Sequence, residues 1–151
     1  MLFRSSLKGD DGSLAILVWA VRDPDSAPLA KVQVIKGWLE NGERHEVVHD
    51  VACGAASMDA ALGKCESNPA AVSLNDCSWD NSVGASELRT LWVDPDYDSA
   101  LDAFYYVRVV QNPTCRWSTY DSLRLGRKPP PDLPATVSEM AWGAPIWVEA
   151  E

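Results

Sequence analysis

The run from Phe104 to Asp121, FYYVRVVQNPTCRWSTYD, constrains the fold more than any other stretch of the chain. Tyr105, Val107 and Val109 share one alternating face and bulky residues fill the other, the pattern of a strand covered on both sides. Pro113 cannot donate to a ladder and stops the strand. Ser118 is placed to cap a short helix that runs through Leu125 and ends at Gly126.

Other segments read as strands too. Leu14 to Val21, LAILVWAV, is apolar on both alternating faces and suits a central strand buried on each side. Val32 to Trp38 alternates, and the Asn41-Gly42 pair after it marks a hairpin because both residues tolerate positive φ. Arg44 to Val51 returns as its partner. Further strands are expected at Glu87 to Val93, Ala103 to Gln111 and, terminally, Pro145 to Val148. Thr136 and Glu139 form a capping box for a second short helix. Between Cys53 and Trp79 the chain loses periodicity and fills with Gly, Ala, Ser, Asn and Asp. The expected architecture is mainly β: an immunoglobulin-like β-sandwich with a long cysteine-containing loop and two short helices.

The length of 151 residues suits one domain with a sizeable core. A formal charge of −9, with no basic patch among the aromatics, argues against nucleic acid as a partner. Leu14 to Val21 is the longest apolar run and is far short of the roughly 20 residues of a membrane-spanning helix. Met1 to Ser5, MLFRS, matches the translation of a common sequencing adapter from a GTG start. It is expected to be a cloning or assembly scar, leaving 6–151 as the domain.

Four cysteines, Cys53, Cys65, Cys77 and Cys115, permit three pairings, and none has the Cys-x-x-Cys spacing that favours zinc or redox chemistry. Disulfides that tie down the aperiodic loop are the better reading, and they imply an oxidising compartment, periplasmic or extracellular. The expected pairs are Cys65 with Cys77, as a short bridge, and Cys53 with Cys115.

Two motifs imitate metal sites. His45-Glu46-Val47-Val48-His49 spells the HExxH zinc signature, which works only on a helix, where residues four apart share a face. Here the segment follows a hairpin turn and alternates as a strand, so the two histidines would stand roughly 13 Å apart along the backbone. A half-buried face of His45, Val47, His49 and Val51 is expected instead. The acidic turn DPDYD, Asp94 to Asp98, departs from the EF-hand at Ser99 and Tyr105, which leaves a solvated turn. No metal ligand or catalytic residue is assigned within the chain.

Arg116, Trp117 and Tyr120 offer a guanidinium and aromatic faces in one turn, able to edge a substrate mouth or to fill an interdomain contact. Lys36 and Trp38 join them as candidates. Alternatively, helix capping by Ser118 and a favourable dipole contact from Asp121 explain the same segment without a ligand. Seven tryptophans exceed what one small core buries, so several of Trp19, Trp38, Trp117 and Trp147 are expected to border one exposed apolar patch.

Four segments in order, VWAVRDPDSAPLAKVQVIKGW (from Val18), DPDYD (from Asp94), NPTCRWSTYD (from Asn112) and LPATVSEMAWGAPIWV (from Leu133), resemble the C-terminal region of the bacterial family called domain of unknown function 3604. The resemblance covers nearly the whole chain from about Leu14. It implies a longer protein whose upstream half is similar to metal-dependent hydrolases of the polymerase and histidinol phosphatase type, with a His-x-His metal site. Neither His45 nor His49 belongs to such a pair, so no catalytic residue carries over. The resemblance therefore implies a non-catalytic accessory domain whose partner is an upstream catalytic domain, which would hold the divalent metal. A glycan- or protein-binding module is the alternative, and an HExxH peptidase a distant third.

Overall fold

The computed structural model describes residues 7–8, 12–55, 57–59 and 62–150. The expected scar at Met1 to Ser5 lies outside the described residues. In chain order the strands are Leu7–Lys8 (β1), Leu14–Val21 (β2), Leu29–Glu40 (β3), Glu43–Cys53 (β4), Met58–Asp59 (β5) and Lys64–Cys65 (β6). They continue with Glu87–Val93 (β7), Ala103–Gln111 (β8) and Thr114–Cys115 (β9), then the helix Trp117–Arg124 (α1), and close with Thr136–Val137 (β10), Met140–Trp142 (β11) and Ile146–Val148 (β12).

Two antiparallel sheets form a sandwich. One has the order β1-β2-β7; the other runs β11-β8-β3-β4, with β12 also on the β11 side of β8. The chain crosses between sheets from β2 to β3, from β4 to β7 and from β7 to β8, the Greek-key habit of immunoglobulin-like sandwiches. Alternation sets the inward faces: Leu14, Ile16, Val18, Ala20 and Leu88 from the first sheet meet Val32, Val34, Val51, Ala103 and Tyr105 from the second in one buried cluster. Val148 and, more peripherally, Ile146 complete that cluster from β12.

β3 and β4 pair through the hairpin at Asn41 and Gly42, whose φ values of 52° and 82° give both turn residues the left-handed conformation expected of Asn-Gly. A register shift between Val32 and Gln33 makes Val51 the extra, bulged residue of β4, and its side chain is buried in the core.

Four expectations change. β2 is buried on one face only, because the sheet it centres is covered on one side: Leu14, Ile16, Val18 and Ala20 face the core, while Leu17, Trp19 and Val21 stand outside. The expected second helix is replaced by β10, because Thr136 and Val137 find backbone partners in Cys115 and Thr114. Ser118 is not the N-cap: Arg116 occupies that position in extended conformation without a side-chain cap bond. Asp121 then falls beyond the first turn, which holds no acidic residue.

The disulfides also differ. Cys53 pairs with Cys65 and Cys77 with Cys115, at Cα separations of 5.7 and 5.5 Å. β6 folds back beside β4, where the Cys65 N–H donates to Asp50 Oδ2 at 2.9 Å and Lys64 Nζ donates to the Val48 carbonyl, so Cys65 arrives next to Cys53. The following segment returns to the end of β8. There Asn112 Nδ2 donates to the Val83 carbonyl and Asn68 Nδ2 to Asn112 Oδ1, and Cys77 reaches Cys115. Chain distance had favoured the 65 to 77 bridge, and tertiary anchoring overrides it.

Candidate functional site

The end of the sandwich that holds the β3–β4 hairpin and the β7–β8 turn concentrates the polar chemistry. Lys36 and Trp38 follow Val34 on the inward alternation of β3, and Asp94 extends the inward alternation of Leu88, Thr90 and Trp92 just past β7. Lys36 Nζ lies 2.7 Å from Asp94 Oδ2, both side chains being almost wholly buried. Tyr105, completely buried near the start of β8, donates its hydroxyl to the same oxygen at 2.7 Å. Lys36 also donates to the Asp96 carbonyl at 2.7 Å, and the Asp96 N–H donates to Asp94 Oδ1 at 3.0 Å. The ammonium sits 5.4 Å from the Trp38 ring centroid and 5.9 Å from that of Tyr105.

Burial works to raise the Asp94 pKa, but bonds from Lys36, Tyr105 and the Asp96 N–H outweigh it and hold the carboxyl below its ordinary value. Burial first, then the carboxylate beside it, push the Tyr105 hydroxyl far upward. The geometry is close to the tyrosine corner of immunoglobulin-like domains, except that the acceptor is a side-chain carboxylate rather than a backbone group. Such a network pins the turn between sheets, and all its main groups are satisfied within it. The expected solvated acidic turn is therefore wrong for Asp94, which is a buried structural anion.

A second ionic cluster lies on the outward face of the larger sheet. Asp50 accepts from Gln33 Nε2 at 2.5 Å, Lys31 Nζ at 3.0 Å and the Cys65 N–H at 2.9 Å. Arg108 Nε donates to Gln33 Oε1 at 2.7 Å and extends the network to β8. Burial would raise the Asp50 pKa, but those bonds, with Gln33 foremost, hold it below its ordinary value.

His45 and His49 lie on β4, as expected, facing inward with Val47 and Val51. His45 stacks on Trp38 with ring centroids 5.0 Å apart, and His49 packs against Trp92 at 5.0 Å. A strand does not provide the helical geometry that HExxH needs, and among the described residues no group of three or more His, Cys, Asp or Glu is arranged to hold a metal. The residues here do not fit the hydrolase metal site that the resemblance implies upstream.

The five candidate contact residues do not form one site. Lys36 and Trp38 pair with Tyr105 and Ala103 at the start of β8, whereas Arg116, Trp117 and Tyr120 follow its far end. Eight residue steps of strand separate those ends by roughly 26 Å. Around α1, Thr119 donates its hydroxyl to the Ala135 carbonyl at 2.8 Å and Ser122 to the Ser118 carbonyl at 2.7 Å, so the segment is fixed by its own polar bonds. Trp117 projects from it largely exposed.

Nor do the tryptophans border a single patch. Trp19 lies on the outward face of β2, with Leu17, Val21, Leu91 and Val93, each from 50 to 67% exposed. Trp147 and Trp142 lie on the outward face of the opposite sheet, opposite Phe104 and Arg108. Trp38 is half-buried against the core.

The chain belongs to the family described as "Protein of unknown function (DUF3604)", whose profile matches residues 4–150. No curated protein and no solved structure matches the chain.

Proposed function

We propose that this chain is the non-catalytic accessory β-sandwich of a longer, exported metal-dependent hydrolase, and that it packs on the catalytic domain through the outward face of β2 and β7. One observation carries the reading. Ala15 opposite Val93, Leu17 opposite Leu91 and Trp19 opposite Arg89 make three adjacent rows of a regular sheet, with Val21 beside them, and Leu17, Trp19, Val21, Leu91 and Val93 are all at least half open to solvent. Single exposed apolar residues are ordinary, but a contiguous sheet face of them marks a contact surface. Burying a Leu, Val or Trp side chain contributes about 1.5 to 3 kcal/mol, so covering this face would stabilise the assembly by several kcal/mol before the costs of ordering and desolvation.

The two disulfides fit an oxidising compartment, and periplasmic or secreted export is the corresponding proposal. Among the described residues no helix is long and apolar enough to cross a membrane. By the family resemblance, the catalytic partner would use metal-bound hydroxide on an ester, with phosphoesters the class to try first. This chain would support and orient that domain without donating to the reaction.

The test begins with the genomic DNA upstream of the codon for Ser6. An open frame that continues into a His-x-His domain is expected; the isolated chain should self-associate or bind a hydrophobic dye, and co-expression with that domain should suppress both. A frame closed just upstream, or dye binding unchanged by the partner, would overturn the reading.

A further inference from the structure

The outward face of the larger sheet carries a groove of about 440 Å³, on the opposite side of the sandwich from β2 and β7. Its floor exists because β3 has glycine at 37: the Phe104 ring lies where a β-carbon of residue 37 would sit. Trp147, opposite Phe104 in register, holds its indole 5.3 Å from the Phe104 ring at 47°, and Leu39 rises along the groove on β3. Both Trp147 and Leu39 are more than half exposed.

The banks are charged with both signs. Arg44 and Glu46 project from β4 on the outward alternation, opposite Leu39 and Gly37, and their side chains make no hydrogen bond or ion pair among the described residues. Asp102 closes the other bank, where its Oδ1 accepts the Ala150 N–H at 2.8 Å. The volume lies within the range of about 300 to 1,000 Å³ typical of small-molecule sites, and aromatic walls with a few polar groups are their usual composition.

We propose that this groove binds a sugar ring of a neutral glycan. A pyranose has an apolar C–H face that can lie on the Trp147 indole and Phe104, and a rim of hydroxyls that both donate and accept. Arg44 supplies donors, while Glu46 and Asp102 supply acceptors, and each is charged, so the bonds they form are strong. An anionic ligand would meet two carboxylates, and a cationic one would pair with them but leave the Arg44 donors unused, whereas a hydroxyl rim engages donors and acceptors together. A purely hydrocarbon ligand would desolvate three charged groups and leave two of them, Arg44 and Glu46, without partners. The mixed-sign bank around an aromatic floor therefore complements an uncharged polyol. This inference does not rest on the accessory-domain reading, because the groove and the β2–β7 face are on opposite sides of the sandwich.

The test is titration of the chain with neutral gluco-, xylo- and manno-oligosaccharides, followed by tryptophan fluorescence and calorimetry. At least one series should bind at millimolar concentration or better. Trp147→Ala should weaken that binding at least tenfold and Arg44→Ala severalfold, whereas Trp19→Ala on the opposite face should leave it unchanged. Circular dichroism checks the fold of each variant, and Arg44→Ala, being an exposed substitution, keeps the test valid if Trp147→Ala fails to fold. Three results would overturn the proposal: no oligosaccharide binding at millimolar concentration, binding indifferent to Arg44→Ala in a folded protein, or an apolar dye held in the groove that no oligosaccharide displaces.

Discussion

Asp94→Asn removes one charge from the Lys36, Asp94 and Tyr105 network while keeping the shape of the side chain. In the native protein the Lys36 and Asp94 side chains are 7% and 0% exposed, so the loss strands an ammonium with little access to water. Breaking a buried pair by removing one partner costs about 3 to 5 kcal/mol. The total stability of such a domain is about 5 to 15 kcal/mol, so the variant should lose about a fifth of it or more. Lys36→Met in the same chain removes the stranded charge, and the double variant should be at least about 1 kcal/mol more stable than Asp94→Asn alone. Tyr105→Phe deletes one bond to the carboxylate but leaves the pair, and should cost only about 1.5 to 3 kcal/mol. Urea unfolding followed by tryptophan fluorescence reads all three as midpoint shifts at constant slope. A loss below about 1 kcal/mol for Asp94→Asn, the value of an exposed ion pair, would refute the claim that this network anchors the sandwich end.

The two bridges should contribute unequally. Replacing Cys77 and Cys115 by Ser opens the 38-residue separation and should cost about 4 kcal/mol in the chain-entropy account, against about 3 kcal/mol for Cys53 and Cys65, separated by 12, while peptide mapping of the unreduced protein should return these two pairs only. Burial holds the His49 pKa below its ordinary 6.5, with Lys64 and Lys36 adding to the effect and Asp94 and Asp96 opposing it. The unfolded chain therefore takes up the proton first, stability should fall as pH drops below 6.5, and His49→Gln should flatten that slope in pH-dependent urea titrations. Asp50 and Asp94, both lowered, contribute stability that is complete above 3.8 and should be lost only as pH falls through their depressed values, as an acid transition separate from that of His49. Gly37→Ala should cost about 1 to 3 kcal/mol by displacing the Phe104 ring, and a matching loss in the Phe104→Ala background would contradict that cause.

Local signals were strong where the backbone dictates its own shape. The bounds of β7 and β8, the Asn41-Gly42 turn and the strand placement of HExxH were legible, because alternation, proline and positive-φ residues act within a few positions. The inward anion was legible in principle as well. Asp94 continues the alternation of Leu88, Thr90 and Trp92, and Lys36 stands between Val34 and Trp38, so an inward Lys and an inward Asp had to meet or be buried unpaired. What the sequence concealed depends on which faces other elements cover. Leu14 to Val21 is apolar on both faces, which reads the same whether the second face meets protein within the chain or a surface outside it. The disulfide pairs likewise follow from β6 folding beside β4 and Asn112 anchoring the loop, contacts across tens of residues that spacing does not encode. The groove escaped notice because Gly37, Phe104 and Trp147 come from three strands, and only the sheet order makes them neighbours.

The most direct measurement of the central claim is hydroxyl-radical footprinting, read by mass spectrometry, of this chain alone and of the longest natural polypeptide that contains it. Leu17, Trp19 and Leu91 should be labelled strongly in the isolated chain, where each is more than 60% exposed, and be protected severalfold in the longer polypeptide. Equal labelling of these three residues in both would contradict the account, because the face that defines the chain as an accessory domain would then have no domain upon it.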